Sequence, residues 1–337
     1  MLDIKGKRIL IIRNGAYGDI IHASHLPRLL KDQGCSHLAF ATGFKGYQLM
    51  KSNPFIDEFH FFELGDRNIR GEYWDGRIDI LSQLYDRTFD LTGSLEVNAL
   101  ALESNRDYYQ HIDIRKKYGE HNYYDISTEW IGFPDLIGKY HGEVFFSDEE
   151  IKAVEHDLLR PGRYADKFKV IINLSGSSPH KVTIHAKEIA ERILEKYEDA
   201  VIFTTGAPNM QELDFNLGER TRSLVGKKPF RQVLLMTKYM NCAIGCESGL
   251  MVGASMWDIP SIQLLTATSK YCHCKYTTKD YSIQSPARCS PCYKGPYKYY
   301  GCPKRDNRPL CVYFNVDNIM EQVDRIYGAE YLLSKTS

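Results

Sequence analysis

Three short loops carry the residues best suited to chemistry. The first, Arg13-Asn14-Gly15-Ala16-Tyr17-Gly18-Asp19, follows an apolar run and ends in a carboxylate. Its glycines permit a tight turn, and Asp19 opens a helix, where an ordinary N-cap needs no further function. It does not match G-x-G-x-x-G, so a nicotinamide dinucleotide fingerprint is not supported. The second loop is Asn173-Leu174-Ser175-Gly176-Ser177-Ser178-Pro179-His180-Lys181. Its small residues let backbone N–H groups approach an anion, and Lys181 adds a full positive charge. The Gly-Lys-Ser/Thr ending of a Walker A loop is missing, and an ordinary turn has the same composition. The third, Gly245-Cys246-Glu247-Ser248-Gly249-Leu250, turns a strand into a helix. There Ser248 and Gly249 can offer N–H groups to a pyrophosphate, and Glu247 can accept from sugar or ribose hydroxyls. The same residues also make a plain helix start.

A different chemistry is suggested by the cysteines. Six of nine fall between Cys272 and Cys311, and Cys289-Ser290-Pro291-Cys292 is followed by Cys302 and Cys311. Four thiolates in a short Pro- and Tyr-rich stretch fit a tetrahedral site, with zinc first and iron second on ligand softness. The second pair lacks Cys-x-x-Cys spacing, so free thiols are the competing reading, and a thiol-redox role is another. Cys272-His273-Cys274 offers a substitute ligand, although its spacing is too tight for all three to chelate together. His22, one turn beyond Asp19, and His25 after it are placed to touch substrate, but ordinary core or surface histidines are the stronger reading.

These residues need elements to hold them. Lys plus Arg and Asp plus Glu number 43 each among 337 residues, so nucleic-acid binding by bulk phosphate neutralisation is not expected. No run approaches 18 apolar residues, and the short stretch Ile9–Ile12 makes no signal peptide, so the expected location is the cytoplasm, with peripheral attachment at the inner membrane as a variant. Short apolar runs alternate with helical patterns twice, which predicts an α/β chain with two parallel sheets. In the first half the strands are Arg8–Arg13, His37–Ala41, Glu58–Phe62 and Arg87–Leu91. One helix is expected from Asp19 to about Gln33, closed by Gly34. Residues 98–140 read only as helix and loop. A charged helix, Asp148–Leu159, ends at Arg160-Pro161-Gly162 and divides 1–160 from 161–337. Beyond it come strands Lys169–Leu174, Ala200–Thr205, Cys242–Cys246 and Ser261–Leu265. The helices there are Ile184–Tyr197, Gln232–Met240, Ser248–Met256 and 316–333. Two doubly wound halves facing across a cleft place a ligand at the carboxyl ends of the strands, where the three loops lie.

The order and spacing of these motifs resemble the heptosyltransferases, glycosyltransferase family nine, over nearly the whole chain. The matching residues are Arg13 through Gly18-Asp19, then Gly176-Ser177-Ser178 with Lys181, Gly206-Ala207-Pro208, Val225-Gly226, and Glu247-Ser248-Gly249 through Ala254. Two positions depart from the pattern: Glu247 stands where the family has Asp, and Val252 where it has His.

The resemblance implies a GT-B fold of two Rossmann-like domains, acceptor-binding over 1–160 and donor-binding over 161–337, the latter including the Cys-rich segment 272–311. It implies an inverting transfer of a heptose or hexose from a nucleotide diphosphate-sugar to a bacterial surface glycan, lipid-linked or protein acceptor. Asp19 would be the general base. Ser177, Ser178, Lys181 and the helix starting at Ser248 would meet leaving-group charge, with Gly18, Gly206, Glu247 and Gly249 completing the binding loops. The chemistry would need no cofactor, and any zinc or iron on Cys289, Cys292, Cys302 and Cys311 would be structural; an oligomer is compatible with this plan. The alternative is a non-catalytic relative that binds a sugar nucleotide or a partner, which the departures at Glu247 and Val252 suggest.

Overall fold

The computed structural model describes residues 2–61, 72–94, 111–160, 162–294 and 302–336. Phe62, Pro161 and residues 98–110 of the stretch read as helix and loop lie outside them. The chain forms two compact units, Met1–Ala99 with His121–Phe146, and Leu100–Glu120 with Ser147–Ser337.

The first unit is built on β1 (Arg8–Ile12), β2 (His37–Thr42), β3 (Glu58–Phe61) and β4 (Arg87–Asp90). All pair in parallel, in the order β3-β2-β1-β4. Ile9 through Ile12 are wholly buried, as a strand covered on both faces requires. The single helix expected after β1 is instead two, α1 (Tyr17–Ile21) and α2 (Leu26–Asp32). Pro27 explains the break. It has no N–H for the carbonyl of Ala23 and disfavours a helical Leu26. Between the helices, Ala23, Ser24 and Leu26 donate three residues back, to Ile20, Ile21 and Ala23. Gly34 closes α2 with φ +88°, the conformation expected of it. A helix not anticipated, α3 (Phe44–Met50), lies against α1, and α4 (Glu72–Ser82) precedes β4. The tyrosine-rich stretch yields α5 (Ile112–Gly119), which belongs to the second unit, and α6 (Tyr123–Trp130), which belongs to the first.

The second unit opens with α7 (Asp148–Leu158), where the Ser147 hydroxyl accepts from the Glu150 N–H and the Glu150 carboxylate accepts from the Ser147 N–H. This reciprocal box starts the helix cleanly. Its sheet comprises β5 (Phe168–Asn173), β6 (Ala200–Thr205), β7 (Thr221–Ser223), β8 (Cys242–Cys246), β9 (Ser261–Leu265) and β10 (Ile283–Gln284). The order β10-β9-β8-β5-β6-β7 is parallel throughout. Helices α8 (Ala186–Lys196), α9 (Phe230–Thr237) and α10 (Gly249–Ala254) connect these strands. Beyond β9, α11 (Lys270–His273) precedes a short hairpin, Lys304–Arg305 with Arg308–Pro309, and α12 (Val316–Ile326) follows it. Ile189, Ile193, Ile319 and Val323, all with zero exposure, seal one face of the sheet beneath α8 and α12.

Both sheets reverse direction once. In the first unit β1 lies between β2 and β4; in the second β5 lies between β6 and β8. Connections leave these points toward opposite edges, which opens a crevice at the carboxyl ends of the adjoining strands.

Candidate functional site

In the first unit the loop after β1 crosses that crevice. Arg13, 1% exposed, sends Nη1 to the carbonyl of Leu91 beyond β4 at 2.5 Å. Its Nη2 lies 3.5 Å from Asp19 Oδ1. Gly15 has φ +131°, a conformation that favours glycine and turns the chain toward α1. Asp19 sits in the third position of α1 rather than capping it, because the cap is Ala16. The Asp19 carboxylate reaches back to accept from the Ala16 N–H at 2.8 Å, and its side chain is 22% exposed beside a buried arginine. Gly18 is half-buried on the same turn.

The neighbouring histidines are core residues, as expected. His22 is buried, edge-on to Tyr123 and Tyr124 at 5.1 Å each. His25 pairs through Nε2 with Thr128 Oγ1 at 2.9 Å. Burial first, then the proximity of His141, drives its pKa down to about 3.

In the second unit the loops after β5 and β8 flank the corresponding crevice. Asn173, last in β5, donates from Nδ2 to the Ser175 carbonyl at 2.8 Å and to Ser248 Oγ at 3.0 Å. It therefore ties one loop to the other. Gly245 makes this possible, because a Cβ there would stand 2.9 Å from Asn173 Cβ. The loop 176–181 is pinched shut by Gly176 N–H to the Lys181 carbonyl at 2.5 Å and Thr183 N–H to the Leu174 carbonyl at 2.9 Å. A Cβ at Gly176 would approach Lys181 Cβ to 2.7 Å. Ser177 is exposed; Ser178 is buried against the His180 ring. Burial, then Lys181, lowers the His180 pKa to about 3.

Lys181 is half-buried, and among the described residues its ammonium makes no ion pair within 4.0 Å. Glu247 is wholly buried. It accepts from Thr266 N–H at 2.7 Å, Thr266 Oγ1 at 2.9 Å and Ala267 N–H at 3.1 Å. Burial raises its pKa, while Lys181 and these three bonds oppose the rise. Its carboxylate is thus engaged with the loop after β9. Ser248 caps α10, accepting from Met251 N–H at 3.3 Å, and Gly249 follows it. A Cβ on Gly206, after β6, would stand 3.4–3.5 Å from Leu174, Ser175 and Met210. Pro208 lies against Gly226, which has φ +65°, so the Gly-Ala-Pro and Val-Gly steps meet in space. Val252 is buried.

Sequence reasoning assigned no role to Asn173, Thr183, Thr266 or Ala267. Only Asn173 carries a signal, as a polar residue ending an otherwise apolar buried strand. The partners of the others are set by strand order.

The cysteines are all free. Burial pushes the Cys311 thiol up first, and Cys292, Glu247, Cys302 and Cys289 push it further. Among the described residues, however, no group of three or more His, Cys, Asp or Glu is arranged to hold a metal ion. Cys272 and Cys274 are buried, with pKa values pushed up by burial to about 11 and about 12. A redox thiol needs a lowered pKa, and these have the opposite.

No protein-family model and no curated protein sequence matches the chain. Solved structures do. A family-nine glycosyltransferase from Veillonella parvula aligns over 96% of this chain and 98% of its own, with TM-score 0.68 and 15% identity. Escherichia coli ADP-heptose lipopolysaccharide heptosyltransferase II aligns over 98% and 100%, with TM-score 0.64 and 14% identity. TibC of enterotoxigenic E. coli, a dodecameric iron-containing glycosyltransferase also solved with ADP-D-β-D-heptose, aligns over 97% and 78%, with TM-score 0.62 and 15% identity. The fold is therefore the GT-B fold of the heptosyltransferases. No helix among the described residues is long and apolar enough to cross a membrane.

Proposed function

We propose that the chain is an inverting glycosyltransferase that moves a heptose or hexose from a nucleotide diphosphate-sugar to a glycan, lipid-linked or protein acceptor. One observation carries the reading. In each sheet the reversal of strand order falls at the loops that bear the candidate residues, Asp19 in one and Lys181 with Ser177 and Ser178 in the other. The ADP-heptose bound by TibC makes an ADP-sugar the first donor to test.

In this mechanism the first unit binds the acceptor and the second the donor. Asp19 takes the proton of the acceptor hydroxyl, held in place by Ala16 N–H and Arg13. The acceptor oxygen attacks the anomeric carbon opposite the leaving group, and the bond to the diphosphate oxygen breaks. The nucleoside diphosphate leaves with the electron pair, and its charge is met by Lys181 and the small-residue loop around Ser177 and Ser178. Gly18, Gly206 and Gly249 let backbone approach the ligands. Ser248 helps by joining the two donor loops. Glu247 acts here by positioning the loop after β9, because its carboxylate is spent within the protein. A structural metal on Cys289, Cys292, Cys302 and Cys311 belongs to the proposal and takes no part in transfer; the thiols as placed do not form a ligand group.

The test begins with ADP-, GDP-, UDP- and CDP-sugars, screened for binding and then for transfer. Asp19→Asn keeps an oxygen for Ala16 N–H but removes basicity, so transfer should fall by roughly 10²–10⁴-fold with donor affinity and melting unchanged. An Asn variant with wild-type turnover removes Asp19 from the chemistry. A wild type that binds donor and transfers nothing is the non-catalytic relative instead.

A further inference from the structure

The peptide after β9 is held from both sides. Its Thr266 and Ala267 N–H groups donate to Glu247 at 2.7 and 3.1 Å. Its carbonyls are taken by the Cys289–Cys292 turn and its surroundings. Ser290 Oγ donates to Thr266 O at 2.6 Å, and Tyr293 N–H to Ala267 O at 2.7 Å. Gln284 Nε2 reaches Leu265 O and Thr268 O at 3.2 Å each, and Ser290 Oγ at 2.8 Å. The turn is itself braced by α5. Arg115 donates to the Cys292 carbonyl, Tyr293 OH to Glu120 at 2.9 Å, and the Cys272 thiol to the Gly119 carbonyl at 3.1 Å. Gly119 admits the Tyr293 ring, which a Cβ would meet at 2.5 Å.

What this clamp restrains is a charge. Glu247 is buried and attracts Lys181, yet the two make no ion pair within 4.0 Å. Three bonds to Thr266 and Ala267 satisfy the carboxylate in place, which leaves the Lys181 ammonium available to an anion. A buried carboxylate that loses such partners seeks the next cation, and Lys181 is that cation.

We infer that Ser290 is a positioning residue for nucleoside diphosphate binding: through Thr266 it holds Glu247 away from Lys181 and keeps that lysine free for phosphate. The inference rests on the proposed donor role of the second unit. Loosening the clamp turns Glu247 into a competitor of the diphosphate without touching the nucleoside.

The experiment uses the full chain and whichever of ADP, GDP, UDP or CDP it binds, together with the matching nucleoside. Ser290→Ala should weaken diphosphate binding about three- to tenfold, the scale of one lost hydrogen bond, and leave nucleoside binding unchanged. Ser290→Thr, which keeps the hydroxyl, should restore affinity. In a Glu247→Gln background the Ser290→Ala loss should shrink, because the competing charge is gone. Hydrogen exchange over residues 262–270 should quicken in Ser290→Ala and recover in Ser290→Thr. A wild type that binds no nucleoside diphosphate sinks the proposed function. A wild type that binds one, with a Ser290→Ala variant of equal affinity or with equal loss for nucleoside and diphosphate, overturns this inference alone. Unchanged exchange over residues 262–270 overturns it as well.

Discussion

Lys181 and Glu247 show how burial separates two opposite charges on the loops of adjacent strands, β5 and β8. The carboxylate is wholly buried and fully bonded, whereas the ammonium is half-buried on a loop closed by backbone bonds. Lys181→Ala should therefore weaken nucleoside diphosphate binding more than nucleoside binding. A charge-assisted contact of about 1.5–3 kcal/mol corresponds to roughly ten- to a hundredfold. Titration calorimetry with both ligands checks this, and equal loss for both would make Lys181 a folding residue. His25 carries a second prediction, on pH. Burial lowers its pKa in the folded protein to about 3, from the ordinary 6.5 of a free imidazole. The unfolded chain then binds the extra proton, so His25 costs stability as pH falls below 6.5 toward 3. Among the described residues its Nδ1 has no hydrogen-bond partner, which leaves a protonated ring unsupported. His25→Gln keeps a donor for Thr128. Its stability between pH 6.5 and 5 should decline less steeply than wild type, by up to about 1.4 kcal/mol per pH unit. Urea unfolding at each pH measures the slope, and parallel slopes would exclude the histidine.

The strands were the most legible elements. β5, β6, β8 and β9 are apolar runs bounded by polar loops, and each lies within one residue of its expected limits. Helix limits were harder. Apolar spacing through Ile20, Leu26 and Leu30 suggests one helix, but Pro27 makes two. The last helix, expected over 316–333, passes at Tyr327 into a wider π-helical turn to Leu332. Of the site, Asp19, Lys181 and Glu247 stand out in the sequence as charges in small-residue loops. The clamp does not, because Ser290 and Thr266 are 24 residues apart and meet only through sheet order. The same holds for α5, whose Arg115 reaches Cys292 across 177 residues. The cysteine turn is the element on which a third prediction rests. If Cys289, Cys292, Cys302 and Cys311 close on a metal, the purified protein holds about one zinc or iron per chain. Cys292→Ser should then release it and lower thermal stability. Elemental analysis beside melting decides, and a metal-free protein with unchanged melting ends the idea.

At the scale of the whole molecule, two sheets with separate cores make separate predictions. Every residue of the proposed donor loops, from Asn173 through Glu247 to Thr266, belongs to the unit that contains Ser147–Ser337, whereas Asp19 belongs to the other. A ligand that binds only the folded form of one unit stabilises that unit by RT ln(1 + [L]/Kd), about 2.7 kcal/mol at a hundredfold excess over Kd. Units with their own cores can unfold as separate steps. Scanning calorimetry of the full chain should then show two transitions. The matching nucleoside diphosphate should raise one of them, and Lys181→Ala should reduce that rise. The Asp19→Asn variant should show the full rise, because its change lies in the other unit. Exchange-resistant amides in β5 and β8 assign the responding transition to the second unit. A diphosphate that instead moved the transition carrying β1 and β2 would place nucleotide recognition in the first unit. Asp19 would then have to serve the donor rather than the acceptor, and the direction of transfer through the mechanism would have to be redrawn.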